Sequence, residues 1–405
     1  MKRAISVTLA ASSLFGVIPV HVALADDWPN FRGAAHDGVS NERDLISSDK
    51  KPLALIWERD VGSAFSSFAS VGGKLYTCGT QDKQQVLFCL DAKSGDIIWQ
   101  REIEGEYRER QGGDGTRATP TVDDGRVYIL GALGRLACFN SADGKLIWDH
   151  KFKHPPMWGY SGSVLIEGNL ALASAGKSDG SLVAFDKKTG NPAWKTGDDL
   201  VGYATPYPFT FENTRYVAGF LGKTAIVVRA GDGAEAWRTP WKTSWDVNAS
   251  APLFHDGRLL LSSGYRHGAA LLKLSKSGDK LAAERVWEDK VLRNKFQSAV
   301  FDKGKLYTCD EVDLKCVDWL TGKLEWSYRR TAKRIKHGTL VLADGRLFVL
   351  TQDGELLVGP ASAQGFSPTI RAKILSGRCW TVPVISNGLL FARNMSRVVC
   401  FDLSK

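Results

Sequence analysis

Beyond its first two dozen positions this 405-residue chain has no run of 18 or more apolar residues, so the body contains no helical membrane span. It has no adjacent Cys pair and no Cys-x-x-Cys, which removes a vicinal disulfide and a thioredoxin-type redox motif. The EF-hand spacing is missing, and the Asp-Gly pairs at 179–180, 232–233, 256–257, 344–345 and 353–354 read as turns rather than calcium loops. Gly112 to Thr116 is Gly-rich but lacks the strand-to-helix context of a phosphate loop. No Ser/His/Asp arrangement stands out, and the paired Gly-His and Trp-Asp signature of WD repeats is absent, there being no Gly-His in the chain. No metal site is expected.

Hydrophobic content of 43% with 10% aromatic residues is that of an ordinary soluble globular chain. Net charge is +9, or +7 once Lys2 and Arg3 are set aside. That is mild for the length, and nucleic acid is not an expected partner. Lys2 and Arg3, the apolar stretch Ala4 to Val22 and the small residues Ala23-Leu24-Ala25 read as an export signal with cleavage before Asp26. Residues 1–25 are thus expected to be a signal peptide and the protein to reside in the periplasm or cell envelope of a bacterium.

What the chain does have is a repeat. Five nine-residue phrases end on tryptophan: Asp91 to Trp99, Asn140 to Trp148, Asp186 to Trp194, Arg229 to Trp237 and Asp318 to Trp326. Trp287 closes a stretched sixth copy. A leading Asp or Asn can accept backbone N–H bonds across the turn, and the Gly supplies a positive φ. The Trp offers a large apolar face for packing between sheets. Upstream of each phrase, two apolar runs flank a turn near Gly73, Gly125, Gly168, Asn213, Gly257, Gly304, Gly345 and Gly388, the pattern of a β-hairpin. A third run and the phrase complete a four-stranded antiparallel meander.

Eight hairpins imply eight sheets. The seventh has the degenerate Ser367 to Leu375 in place of a phrase, and the eighth stops near Leu403 with its fourth strand missing. Leu53 to Val61, carrying Trp57, supplies that strand and closes a ring, which protects the sheet edges. The expected fold is all-β: an eight-bladed propeller of four-stranded blades, with seven blades as the fallback. It occupies 53–405, with 26–52 as an N-terminal extension packing on it. Structural docking is assigned to Trp57, Trp99, Trp148, Trp194, Trp237, Trp287 and Trp326. Seven cysteines are expected mainly as small buried hydrophobes; Cys78 with Cys89 and Cys309 with Cys316 are possible cross-strand disulfides.

Aligning the hairpins puts Phe65, Arg117, Tyr160, Tyr203, Ala249, Phe296, His337 and Trp380 in one row at the entrance of the innermost strands. The next positions inward are small, among them Ser66, Ala118, Ser161 and Ala204. This row is the candidate ligand-binding mouth, with Trp158, Trp245 and Lys336 in adjoining loops. Arg117 is suited to a carboxylate and His337 to acid–base work, but no catalytic residue is assigned.

The phrase resembles the tryptophan-docking motif of the pyrroloquinoline quinone (PQQ) repeat superfamily, and Trp28 to Ser40 resembles the opening segment of exported bacterial PQQ-like propellers. The superfamily includes quinoprotein dehydrogenases, which hold PQQ and Ca²⁺ in the central funnel. It also includes propellers that bind no quinone, such as the scaffold of the outer-membrane β-barrel assembly machine. The chain lacks the dehydrogenases' long insertions and vicinal disulfide, and also the scaffold's lipidation cysteine. The expectation is an exported non-catalytic binding or scaffold module, without cofactor and monomeric, for an envelope protein or polysaccharide. The alternatives are a small PQQ- and calcium-dependent oxidoreductase and a carbohydrate-active propeller.

Overall fold

Each predicted hairpin forms the two innermost strands of a blade in the computed structural model, which describes residues 26–46, 52–329 and 335–404. The signal expected at 1–25 lies outside the described residues. Eight sheets are present among them. Blades 1 to 7 run in chain order over 69–105, 121–151, 165–196, 207–240, 253–289, 300–328 and 339–373. Blade 8 takes 384–386, 389–393 and 397–402, and then 54–60 from the other end of the chain. Trp57 lies opposite Cys400 and Glu58 opposite Val399 in that closing pair. The fold is an eight-bladed β-propeller, and the degenerate segment contributes the outer strand of blade 7, Ile370–Lys373.

The turn chemistry explains the hairpins. In blade 2 Asp124 and Gly125 both adopt positive φ, 44° and 71°, as a two-residue turn matched to strand twist requires. Asp91 opens its phrase as predicted: Oδ1 accepts the N–H of Lys93 at 2.9 Å and of Ser94 at 2.8 Å. The Ser94 bond, with its neighbours, holds the Asp91 carboxyl below the ordinary carboxylate range.

The outer strand starts two residues before its tryptophan in blades 1 and 2 and three before it in blade 8. A bulge between those positions (Leu55/Trp57, Leu146/Trp148) re-aims the indole. The ring then reaches the next blade. The Nε1 protons of Trp57, Trp99, Trp148, Trp194, Trp287 and Trp326 go to carbonyls of Ala92, Ser141, Lys187, Ala230, Trp319 and Ser362, at 2.8 to 3.2 Å. Trp237 packs half-buried between blades 4 and 5 without such a bond among the described residues, because the matching turn of blade 5 is replaced by a long hairpin.

Near the axis a second set of bonds joins the blades. The N–H of Ser67 donates to Thr119 Oγ1 (3.1 Å), that of Thr119 to Ser163 Oγ (2.9 Å), and that of Ser163 to Thr205 Oγ1 (2.9 Å). Hydroxyls one or two residues beyond the small inward row therefore act as inter-blade acceptors for N–H groups that lie between sheets. Arg393, fully buried at the seam of blades 8 and 1, donates to the carbonyls of Ser66, Cys78 and Gly62. Burial pulls its guanidinium down to about 10, still charged at neutral pH.

Residues 26–46 cross the hairpin end of the channel. Trp28 exchanges both backbone bonds with Ser70 of blade 1, and Pro29 accepts from Val122 of blade 2. The Arg32 guanidinium reaches Ala299 O ahead of blade 6 at 2.6 Å. Val39–Ser40 adds a parallel fifth strand to blade 7, opposite Leu342 and Ala343. One end of the axial channel is closed by this segment.

All seven cysteines are buried and free, which corrects the two possible disulfides. Strand register is the reason: Cys89 faces Tyr76 and Cys316 faces Tyr307, while Cys78 and Cys309 face Leu87 and Leu314. Burial raises every one of these thiols above the ordinary cysteine range, so they are unreactive packing groups.

Candidate functional site

The starts of the innermost strands converge on a cavity of about 300 Å³. Of the predicted row, Phe65, Arg117, Tyr203, Ala249, Phe296 and Trp380 line it, together with Trp158 from an adjoining loop. Phe31 of the N-terminal segment also lines it, so the cavity is a blind funnel closed below.

Three expectations need correction. Tyr160 does not reach the cavity: it is 1% exposed and its hydroxyl donates to Ala175 O at 2.9 Å. The register places it between blades, against Phe152. His337 is not in the lining; it sits behind the wall, 5.2 Å from the Phe296 ring and 5.4 Å from the Trp380 ring. Its imidazole is pushed down to about 4, first by burial and then by Lys295, Lys336 and Arg378, so it is neutral at pH 7. Trp245 is 68% exposed and outside the lining.

Arg117 lines the funnel but is not free to clamp a carboxylate. Its Nε donates to Trp158 O at 2.9 Å and its Nη2 to Gly113 O at 2.6 Å, and Nη1 contacts Gly115 O. The guanidinium lies over Tyr107 and Phe65, 4.4 and 5.4 Å from their centroids. These contacts clasp the loop 106–116. Gln111 of that loop accepts from Trp158 Nε1 at 3.3 Å and offers its carbonyl to Arg378 at 3.2 Å. The loop therefore reaches over the mouth from the blade 3 side to the blade 8 side.

Trp380 organises one wall. Phe65 stacks on it at 5.6 Å and 21°, Phe296 is tilted at 5.1 Å, and the Arg378 guanidinium lies 4.5 Å from its centroid. Its Nε1 is fixed by Gln352 Oε1 at 3.1 Å. Lys295 and Tyr265 are among the lining residues that escaped the sequence reading. Lys295 stands one position before Phe296, with Nζ 4.9 Å from the Tyr265 ring and no ion pair among the described residues. Tyr265 comes from a loop between strands of blade 5, outside the aligned row. Adjacency to Phe296 was the available signal for Lys295; nothing local pointed to Tyr265.

Among the described residues the only carboxylate in the lining is Glu109. Its Oε1 accepts the N–H of Gln111 at 2.7 Å, and its Oε2 that of Gly113 at 3.3 Å and of Gly112. Burial tends to raise this carboxyl, but those backbone bonds together with Arg117 outweigh it and leave it below the ordinary range. Among the described residues no group of three or more His, Cys, Asp or Glu is placed to hold a metal ion. The donor set of the funnel does not fit a calcium-held quinone.

The architecture is that of an eight-bladed β-propeller, and part of the chain is similar to known PQQ-like repeat proteins. The family model described as outer membrane protein assembly factor BamB matches residues 47–197. Quinoprotein alcohol dehydrogenase PedE of Pseudomonas putida is 31% identical over 211 residues, 51% of this chain and 31% of that protein. The BamB protein of Nitrosomonas eutropha is 28% identical over 151 residues, 37% of this chain and 34% of its own length. The chain thus spans about a third of these curated relatives. Among solved structures, BamB from Moraxella catarrhalis aligns at TM-score 0.63 and 14% identity, over 87% of this chain and 100% of that one. A europium-containing methanol dehydrogenase aligns at 0.68 and 13%, over 93% and 98%. At such identities the structural likeness concerns the fold alone.

Proposed function

We propose that the protein is a non-catalytic binding module of the bacterial cell envelope that engages a protein or polysaccharide through the funnel mouth and its loops. The observation that carries this reading is Glu109. A quinoprotein funnel needs free carboxylate or amide oxygens around a metal, and the one carboxylate among the described lining residues is committed to three backbone N–H groups of its own loop. Rings and fixed donors suit recognition rather than turnover. Export follows the reading of residues 1–25 as a signal; 26–52 is the extension and 53–405 the propeller. No helix of the described residues is long and apolar enough to cross a membrane. A ring closed on itself leaves no sheet edge needing a second copy, which supports a monomer.

The matched relatives include both assembly factors and quinoprotein dehydrogenases, so the oxidoreductase reading is the rival. The binding reading predicts saturable capture of a defined envelope protein or polysaccharide fraction by the immobilised protein. That capture should fall sharply in a Trp158→Ala, Trp380→Ala double variant. Capture that does not saturate, or that the double variant leaves intact, defeats the funnel mouth as the binding surface.

A further inference from the structure

Three hydroxyls face the funnel with protons to give. Thr119, Ser163 and Thr205 line the cavity, and each Oγ already accepts a backbone N–H from the neighbouring blade. A hydroxyl keeps one donor after accepting, and none of the three donates to a protein group among the described residues. All are at most 9% exposed. Buried donors without acceptors are unfavourable, so this arc calls for an oxygen-rich guest.

The charge of the site points the same way. Lys295 faces the cavity without an ion pair among the described residues. Lys336 and Arg378 lie close enough to act with it on His337. Asp310 acts on His337 in the opposite sense but is paired with Lys315, and the one carboxylate among the described lining residues, Glu109, is occupied. Trp380 and Phe296 supply apolar faces alongside these donors. A purely aromatic anion would cover the rings and leave the hydroxyl arc unanswered. A sugar answers both, with its oxygens toward the arc and its C–H face on an indole.

We propose that the funnel binds an acidic sugar residue, such as the end of an acidic polysaccharide, with its carboxylate or sulfate toward Lys295. The proposal rests on the reading of the chain as a binding module and names the class of ligand that module takes.

The test is calorimetric titration of the full chain with D-glucuronate, D-glucose 6-sulfate, D-glucose and 2-naphthoate. One or both acidic sugars should bind about tenfold tighter than glucose, and the sugar preferred tells carboxylate from sulfate. Lys295→Gln, checked for an unchanged thermal transition, should weaken the acidic sugar about tenfold and leave glucose unaltered. Equal binding of glucose, tighter binding of naphthoate, or no binding of either acidic sugar overturns the proposal. A dye-reduction assay with PQQ and Ca²⁺ on the same sample separates the two failures. Turnover defeats the non-catalytic reading, whereas lost sugar discrimination without turnover defeats the ligand class alone.

Discussion

A Cβ placed on Gly144 would stand 2.8 Å from the Trp99 ring. Trp99 belongs to blade 1 and Gly144 to the phrase of blade 2, so the glycine is small because the preceding blade's indole lies on it. The same contact recurs where Trp57, Trp148, Trp194 and Trp287 meet Gly95, Gly190, Gly233 and Gly322. One repeated phrase thus carries both halves of an inter-blade joint, and each copy serves its own blade and the one before.

Gly125 separates packing from backbone strain. It has the same φ as Gly144, 71°, but open space around it. Gly125→Ala should destabilise by about 1–2 kcal/mol, the left-handed penalty alone. Gly144→Ala should add about 1–3 kcal/mol for the overlap with Trp99. Urea unfolding of the two variants measures the difference; equal losses would mean the joint contributes nothing.

Much of this was legible because it is local. Turns, alternating runs and the phrase recur every few dozen residues, so eight blades and the closing strand could be counted from the chain. The N-terminal seal could not be. Arg32 and Ala299 are 267 residues apart, and no periodicity links them. The cavity wall was partly legible: position along a strand brings Phe65 and Trp380 to it, but does not tell which face Tyr160 turns to. Arg117 was located but misjudged, because its donors are claimed by carbonyls of a loop whose path only the fold reveals.

Arg117 should act as a clasp. Arg117→Lys keeps the charge but loses the planar fork that reaches three carbonyls. Limited trypsin digestion should cut faster after Arg108 or Arg110 in the variant than in the parent. An unchanged cleavage rate would show that the loop holds without it.

Histidine burial sets an acid limit. His36, in the N-terminal seal, and His337, behind the funnel, are both pushed down to about 4, first by burial. The unfolded chain takes up these protons near pH 6.5 and the folded one only near 4. Their contribution to stability is therefore complete above pH 6.5 and is lost as pH falls towards 4. Urea midpoints should drop over that window, and His36→Gln should flatten the drop. An unaltered slope in the variant contradicts the assignment.

The seal itself is testable. Trp28 is 2% exposed and paired with Ser70. Trp28→Ala should cost about 3–5 kcal/mol, read as a lower melting temperature. A loss within the error of the melt would mean that the segment rests on the propeller without bracing it.

The most direct measurement is titration of the full chain with PQQ and Ca²⁺, following tryptophan fluorescence, and then assaying dye reduction with alcohols and sugars. With Glu109 committed to its own loop, the account predicts no saturable quenching at micromolar quinone and no turnover. Saturable quenching accompanied by dye reduction would contradict it.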